Sequence, residues 1–207
     1  MTTIDSFWDR VADRYSRKPV ADESVYQEKL RITREYLRPD SDVLEIGCGT
    51  GSTAITHAPR VRSVRATDIS ARMIEIAREK VRDAKVDNVL FEQASIDEVD
   101  VAHQSQDVVL ALSILHLVDD RDDAIEFAHE ALKPGGVFIS STVCLGDNLK
   151  FFKYIGPVGR FLGLMPLLRV FTVQELKNSL ANAGFEVERE WQPGKNKGVF
   201  IVARKPA

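Results

Sequence analysis

The stretch Val43-Leu44-Glu45-Ile46-Gly47-Cys48-Gly49-Thr50-Gly51 sets one carboxylate inside an apolar run and follows it with three alternating glycines. Glycines at 47, 49 and 51 carry no β-carbon, so the backbone there can turn tightly and approach a ligand closely. A carboxylate beside such a turn repels a pyrophosphate and attracts a cation, directly or through water. The nearest competing pattern is the dinucleotide fingerprint GxGxxG, whose third glycine falls at position 52, where this chain has Ser52. The spacing ExGxGxG therefore predicts a site for a positively charged ligand. Other candidate chemistry is sparse. Cys48 and Cys144 are too few and too far apart for a disulfide framework or a CxxC metal pair, and His57, His103, His116 and His129 show no metal-ligand spacing. No metal is expected.

The elements that would hold this turn follow from short apolar runs. VLEIG (43–47), SVRATD (63–68), NVLFEQA (88–94), DVVLAL (107–112) and GVFISST (136–142) read as buried strands, with helical spacing between them at Met73, Ile74, Ala77, Val81 and at Ala124, Ile125, Ala128, Leu132. Strands alternating with helices predict a parallel sheet covered on both faces. The alternation breaks after TVQELKNSLANAG (172–184), where Thr172 suits an N-cap and Gly184 a stop. FEVEREWQ (185–192) and GVFIVARK (198–205), joined by PGKNKG, then predict an antiparallel hairpin. In a doubly wound sheet, ligands sit beyond the carboxyl ends of the strands, and the first strand-to-helix turn, here 47–51, lines that crevice.

Composition narrows the classes. At 207 residues, with a formal net charge of −3, the chain suits one substantial domain with no global attraction to nucleic acid or anionic membrane. The run Arg72, Arg78, Lys80, Arg82, Lys85, interleaved with Glu75, Glu79 and Asp83, reads as a solvated helix face laced with ion pairs. MTTIDSFWDR lacks the basic start and apolar core of a signal peptide, and no apolar run reaches membrane-spanning length, so the expectation is a cytoplasmic protein.

From about residue 43 to its end the sequence resembles the class I S-adenosylmethionine-dependent methyltransferases, and within them the small-molecule group. The resemblance rests on EIGCGTG (45–51), Asp68 in ATDIS, LALSILHLVDD after strand 4 and LKPGGVFISS (132–141). It implies an α/β fold, a three-layer, doubly wound, seven-stranded sheet in the order 3-2-1-4-5-7-6 with strand 7 antiparallel. The implied cofactor is S-adenosylmethionine, leaving as S-adenosylhomocysteine. Glu45, Gly47, Cys48, Gly49, Thr50 and Gly51 would hold its methionine part, Asp68 would accept both ribose hydroxyls, and Ile69 and Met73 would pack on the adenine. Ser95, with Ile96, stands where the family usually has an aspartate for the adenine amino group, and Asp97 could substitute; Leu112 ends strand 4 beside the cofactor. FWDRVADRY (7–15) is similar to the FDxxAxxY segment that precedes the core in many relatives and implies Tyr15 over the cofactor carboxylate. The other reading of that segment is a helix face on which Phe7, Val11 and Tyr15 pack.

Methyl transfer from a sulfonium needs positioning more than acid–base chemistry, unless the acceptor must lose a proton. His116, which the resemblance places at the cleft, is the candidate base or substrate-orienting group, an ordinary imidazole titrating near neutrality; its alternative is a histidine packed at the cleft wall. Cys48 reads as a small packing residue. The expected organisation is a single domain over 1–207: a helical cap (1–40), a cofactor-binding core (43–142), a substrate lid insertion (144–171), and a terminal helix with its hairpin (172–207). Residues 149–171, rich in aromatic and aliphatic side chains and carrying Lys150, Lys153, Arg160 and Arg169, read as a lid over an apolar substrate, a membrane-resting face, or packing. The expected activity is methylation of a small, partly apolar metabolite, with no nucleic-acid partner. A non-catalytic cofactor-binding sensor or partner subunit and, less favoured by Ser52 and Glu45, a nicotinamide-dependent oxidoreductase are the alternatives.

Overall fold

The computed structural model describes residues 3–148, 155, 159–161, 164–194 and 197–207. Much of the expected lid (149–154, 156–158 and 162–163) and two residues of the hairpin connection (195–196) lie outside the described residues. The strands form one seven-stranded sheet in the order β3-β2-β1-β4-β5-β7-β6, the order implied by the resemblance. They are β1 (Asp42–Ile46), β2 (Ser63–Asp68), β3 (Val89–Gln93), β4 (Gln106–Leu112), β5 (Leu132–Thr142), β6 (Glu186–Trp191) and β7 (Val199–Arg204). β1 pairs in parallel with β2 and β4, and β2 with β3, whereas β7 runs antiparallel to both β5 and β6. Chain contacts divide the molecule into two compact units, residues 1–101 with 106–110, and residues 102–105 with 111–207.

In the first unit, β1 is buried along most of its length, as expected of a strand covered on both faces. Three of its helices are α1 (Thr3–Arg17), α2 (Glu23–Arg34) and α3 (Ser52–His57), the last continuing into a 3-10 turn at Ala58–Arg60. The fourth, α4 (Ala71–Asp83), packs on β2 and β3. Asp22 caps α2 by accepting from the Val25 N–H at 3.2 Å. Ser70 caps α4, accepting from the Met73 N–H at 3.1 Å. α1 lies against α4, with Ala12, Met73 and Ile76 buried together and Trp8 packed against them. Two carboxylates fasten this contact. Asp9 accepts from the Ser70 hydroxyl (2.6 Å) and the Arg72 N–H (3.1 Å), and Asp13 pairs with the Arg72 guanidinium at 2.8 Å. The basic run on α4 is only partly the ion-paired face expected: Arg72 pairs with Glu75, but Arg78 reaches the Phe91 carbonyl and Lys80 leaves the helix for the glycine turn. Their long stems let them cross to neighbouring elements.

His57, fully buried at the end of α3, has no hydrogen-bond partner for either ring nitrogen among the described residues. Burial first, then the positive charges of Arg34 and Arg60, push its pKa down to about 4. The unfolded imidazole binds its proton at higher pH. Stability from this residue is therefore complete above pH 6.5 and is lost as pH falls toward 4, by up to about 3 kcal/mol. His57→Leu is expected to flatten that acid limb while leaving stability at pH 7 nearly unchanged, because it removes an unsatisfied polar group. Urea-unfolding midpoints at pH 5 and pH 7 check this; equal pH dependence in both proteins would refute it.

In the second unit, α5 (Arg121–Ala131) starts at Asp120, whose carboxylate accepts from the Asp122 and Asp123 N–H groups, and it ends where the Lys205 ammonium donates to the His129 and Leu132 carbonyls. α6 (Leu145–Asn148) follows β5. α7 (Val173–Asn182) has the expected Thr172 cap, reinforced by a reciprocal bond from the Thr172 N–H to Glu175, and Gly184 beyond it has φ +90°. α5 and α7 pack on β5 and β6 respectively. β6, outermost in the sheet, carries an irregularity between Val187 and Arg189.

Candidate active site

The first unit assembles the carboxyl ends of β1 and β2 with the turn between β1 and α3. Glu45 pairs across the sheet with Ala66 and Leu110 and is only 2% exposed. Its carboxyl accepts from the Ala54 N–H, while Oε2 is buried without a partner among the described residues. Burial first, then the nearby Asp68 charge, raises its pKa to about 8. A buried carboxyl with an idle oxygen is costly unless something cationic completes it.

The turn is built around Asp68. Its Oδ2 accepts from the Gly49 N–H at 2.8 Å and its Oδ1 from the Ser70 N–H at 2.9 Å. Each oxygen retains a further acceptor position, enough for a vicinal diol. Burial raises the pKa of Asp68, and these two backbone donors work against that rise. The Asp68 carbonyl also accepts from the Ala94 N–H at 3.1 Å, fixing the start of the loop after β3.

Gly47, Gly49 and Gly51 have φ of +67°, +53° and +74°. They do different things. A β-carbon on Gly51 would lie 2.5 Å from the Phe91 ring and 2.8 Å from the Ala77 methyl, so this glycine lets the turn pack on β3 and α4. A β-carbon on Gly49 would meet nothing nearer than the Tyr15 ring at 4.0 Å. Gly49 thus faces open space beneath the half-exposed Tyr15, which α1 carries there. Thr50 is buried, and its hydroxyl accepts from the Lys80 ammonium at 2.8 Å, which also donates to Ser52.

The remaining expected residues divide. Ile69 is partly exposed next to Asp68, and its carbonyl accepts from Gln93. Met73 is 2% exposed within the α1–α4 cluster, which leaves almost none of its surface for an adenine. Ser95 donates its hydroxyl to Glu98 at 2.9 Å in a local cap, ahead of the partly exposed Ile96 and the exposed Asp97. Burial raises the Cys48 thiol well above its ordinary range and Cys144 to about 12, so both are neutral thiols. Asp9, Asp13 and Lys80 were not legible as site-building residues. A usable signal for Lys80 was its spacing from Met73 and Ala77, which puts it on the inner edge of α4.

In the second unit, Leu112 ends β4 half-buried, and Ser113 follows with φ +64°, its N–H donating to the Ser141 carbonyl at 2.7 Å. His116 is half-buried, Nδ1 has no partner among the described residues, and its carbonyl accepts from the Arg169 N–H. The ordinary near-neutral titration expected for His116 does not hold: burial lowers its pKa to about 4. The ring is a neutral hydrogen-bonding group at pH 7 and a weak base. Among the described residues no group of three His, Cys, Asp or Glu side chains could hold a metal ion.

A family profile described as a methyltransferase domain matches residues 43–136, the stretch that contains the glycine turn, Asp68 and His116. The 27-O-demethylrifamycin SV methyltransferase of Amycolatopsis mediterranei is 34% identical over 163 residues, 73% of this chain and 56% of that protein. The chain carries a methyltransferase domain of the class I S-adenosylmethionine-dependent kind. Solved structures share the fold of this chain. The YcgJ protein of Bacillus subtilis superposes with a TM-score of 0.74 at 16% identity, over 87% of this chain and 99% of that one. A possible histamine N-methyltransferase from Thermotoga maritima gives 0.72 at 23%, over 97% and 99%. The chain spans about half the length of the curated relatives it matches.

The first unit fits the family's cofactor: among the described residues Glu45 Oε2 lacks a partner, Asp68 has acceptors to spare, and Gly49 leaves room. A cationic amino group placed at Glu45 would favour its carboxylate, and binding near neutrality would then expel a proton. Affinity for S-adenosylhomocysteine is therefore expected to rise between about pH 6 and about pH 8, by at most about tenfold per pH unit. Calorimetry in buffers of different ionisation enthalpy measures the proton directly. Glu45→Gln should abolish the release; an unchanged release would place the titration elsewhere.

Proposed function

We propose that the chain transfers a methyl group from S-adenosylmethionine to a small, partly apolar metabolite. The observation that carries this reading is the buried Glu45 Oε2, without a partner among the described residues, beside the Asp68-braced glycine turn. When bound, the cofactor supplies an electrophilic methyl group on a sulfonium. The chain's own residues do the rest by positioning. Asp68 holds the turn through Gly49 and Ser70 and offers its remaining acceptors to a ribose diol. Glu45 is the anion for an amino cation, and Tyr15 covers Gly49 from α1. Neutral His116 orients an acceptor through Nδ1; with a pKa of about 4 it is a poor proton acceptor at pH 7, so the reading assigns it orientation rather than proton removal.

The Amycolatopsis mediterranei relative, a 27-O-demethylrifamycin SV methyltransferase, supports a small-molecule acceptor. The test is purified protein incubated with methyl-labelled S-adenosylmethionine and a cell extract, followed by partition between organic and aqueous phases, with Asp68→Ala as control. Label in an organic-soluble small molecule supports the reading, and label in protein or nucleic acid replaces its substrate. No transfer above the control would favour a non-catalytic cofactor-binding protein.

A further inference from the structure

The first turn of a helix has N–H groups that none of its own carbonyls can accept. In α4 one of these, the Met73 N–H, goes to the Ser70 hydroxyl at 3.1 Å. Another, the Arg72 N–H, goes at 3.1 Å to Oδ1 of Asp9, 63 positions earlier in the chain and on α1. The same Asp9 oxygen accepts from the Ser70 hydroxyl at 2.6 Å. A carboxylate suits this place because a helix N-terminus carries partial positive charge. α1 thus supplies part of the cap of α4.

That cap adjoins Asp68, and Ser70 serves both sides of it. Its hydroxyl donates to Asp9, and its N–H donates to Asp68 Oδ1 at 2.9 Å. Asp68 Oδ2 accepts in turn from the Gly49 N–H at 2.8 Å. A chain of hydrogen bonds therefore joins α1 to the glycine turn through Ser70 and Asp68. Ser70 is fully buried, so water does not compete for its two bonds. α1 also reaches the same turn directly. Its Tyr15 ring lies 4.0 Å from where a β-carbon on Gly49 would sit. Between Asp9 and Tyr15, Ala12 is buried with Met73 and Ile76, and Asp13 pairs with the Arg72 guanidinium at 2.8 Å. Tyr15 is 53% exposed, so what holds it over the turn is the seating of its helix on α4.

We infer that Asp9 is a positioning residue for the cofactor: it seats α1 on the α4 cap, the seated helix holds Tyr15 over Gly49, and α1 docking and cofactor binding strengthen each other. This role rests on the cofactor reading, with S-adenosylmethionine as the ligand of the turn. Asp9 acts through Ser70 and Arg72, its partners in the fold, and through the Tyr15 that its helix carries. Linkage makes the effect reciprocal. The factor by which a seated α1 raises affinity is the factor by which the bound cofactor favours the seated helix.

The test is a double-variant cycle on the full chain, read by calorimetric titration with S-adenosylhomocysteine well below each protein's melting midpoint. Asp9→Ala is expected to lower affinity about tenfold, a usual size for coupling between sites. Asp9→Asn keeps an acceptor oxygen for Ser70 and Arg72 and should recover most of that loss. In a Tyr15→Ala background the loss caused by Asp9→Ala should shrink to about twofold or less, because the residue it positions is already gone. Hydrogen exchange reads the reciprocal effect: the ligand should slow the α1 amides of wild type and leave those of Asp9→Ala nearly unchanged. Where Asp9→Ala does not accumulate, Asp13→Ala removes the other carboxylate of the seat and goes through the same cycle. Wild-type affinity in Asp9→Ala overturns the inference, as does an equal loss in both backgrounds, the result of a merely structural role. Wild-type α1 amides that exchange at one rate with and without ligand overturn it too. Those results leave the cofactor reading standing, whereas a wild type that binds no S-adenosylhomocysteine overturns both.

Discussion

Asp68→Ala is expected to lower affinity for S-adenosylhomocysteine by at least about two orders of magnitude. One carboxylate holds two backbone donors, Gly49 and Ser70, and has acceptor positions left for two hydroxyls. Hydrogen bonds to a charged group contribute about 1.5–3 kcal/mol each, and tenfold in affinity is about 1.4 kcal/mol, so losing two ligand bonds alone reaches a hundredfold. The variant also leaves the Gly49 and Ser70 N–H groups unpaired, which should lower folding stability by about 2 kcal/mol. Titration calorimetry and urea unfolding on the same preparation separate the two losses. Asp68→Asn sharpens the result: the amide keeps the shape and one acceptor, but turns an NH2 toward one of the two backbone donors. Affinity within tenfold of wild type for both variants would mean that the diol is held elsewhere.

Gly51→Ala and Gly49→Ala are expected to fail in opposite ways. Both sit at positive φ, where a β-carbon costs about 1–2 kcal/mol. At Gly51 the added methyl also overlaps the Phe91 ring and the Ala77 methyl, and overpacking of that kind costs about 1–3 kcal/mol more. The sum, about 2–5 kcal/mol, is a large part of the stability of an ordinary domain, so Gly51→Ala should melt well below wild type or fail to accumulate. At Gly49 no such overlap occurs, and the protein should fold with only the backbone penalty. Its methyl would instead occupy the room above the turn, so cofactor affinity should fall about tenfold or more while melting changes little. Melting midpoints and S-adenosylhomocysteine titrations of the two variants decide the matter. Equal destabilisation would remove the distinction between a packing glycine and a ligand-facing one.

The sheet was largely legible because its signals are local. Ser63–Asp68 is bounded in the structure as its apolar run suggested, and Thr172 and Gly184 mark the ends of α7 through capping chemistry confined to a few residues. In the candidate site, what the sequence made legible was a residue type that is costly to bury unpaired. The carboxylate within VLEIG is such a case, and in the folded chain it is buried with an idle oxygen. Where a neighbour distant in sequence decides, the reading fell short. The resemblance implies Met73 against the adenine, but in the fold it is buried with Ala12 and Ile76, with Trp8 packed against them. Lys80 looked like one more cation on a wet helix, because nothing local says that Thr50 lies within 2.8 Å of its ammonium. His116 has a near-neutral pKa only in water, and the burial that lowers it comes from the tertiary structure.

The irregularity in β6 has a consequence for what happens when the protein is heated or concentrated. β6 ends the sheet, and an outermost strand offers unpaired backbone groups to any other strand that can lie flat against it. The register shift between Val187 and Arg189 breaks that flatness, and Glu186, Glu188, Arg189 and Glu190 line the strand with charge. The opposite edge is different: β3 is regularly paired with β2 and carries Leu90 exposed between Val89 and Phe91. Strand-to-strand aggregation, when it comes, is therefore directed to β3, and a single charge at position 90 is the economical place to resist it.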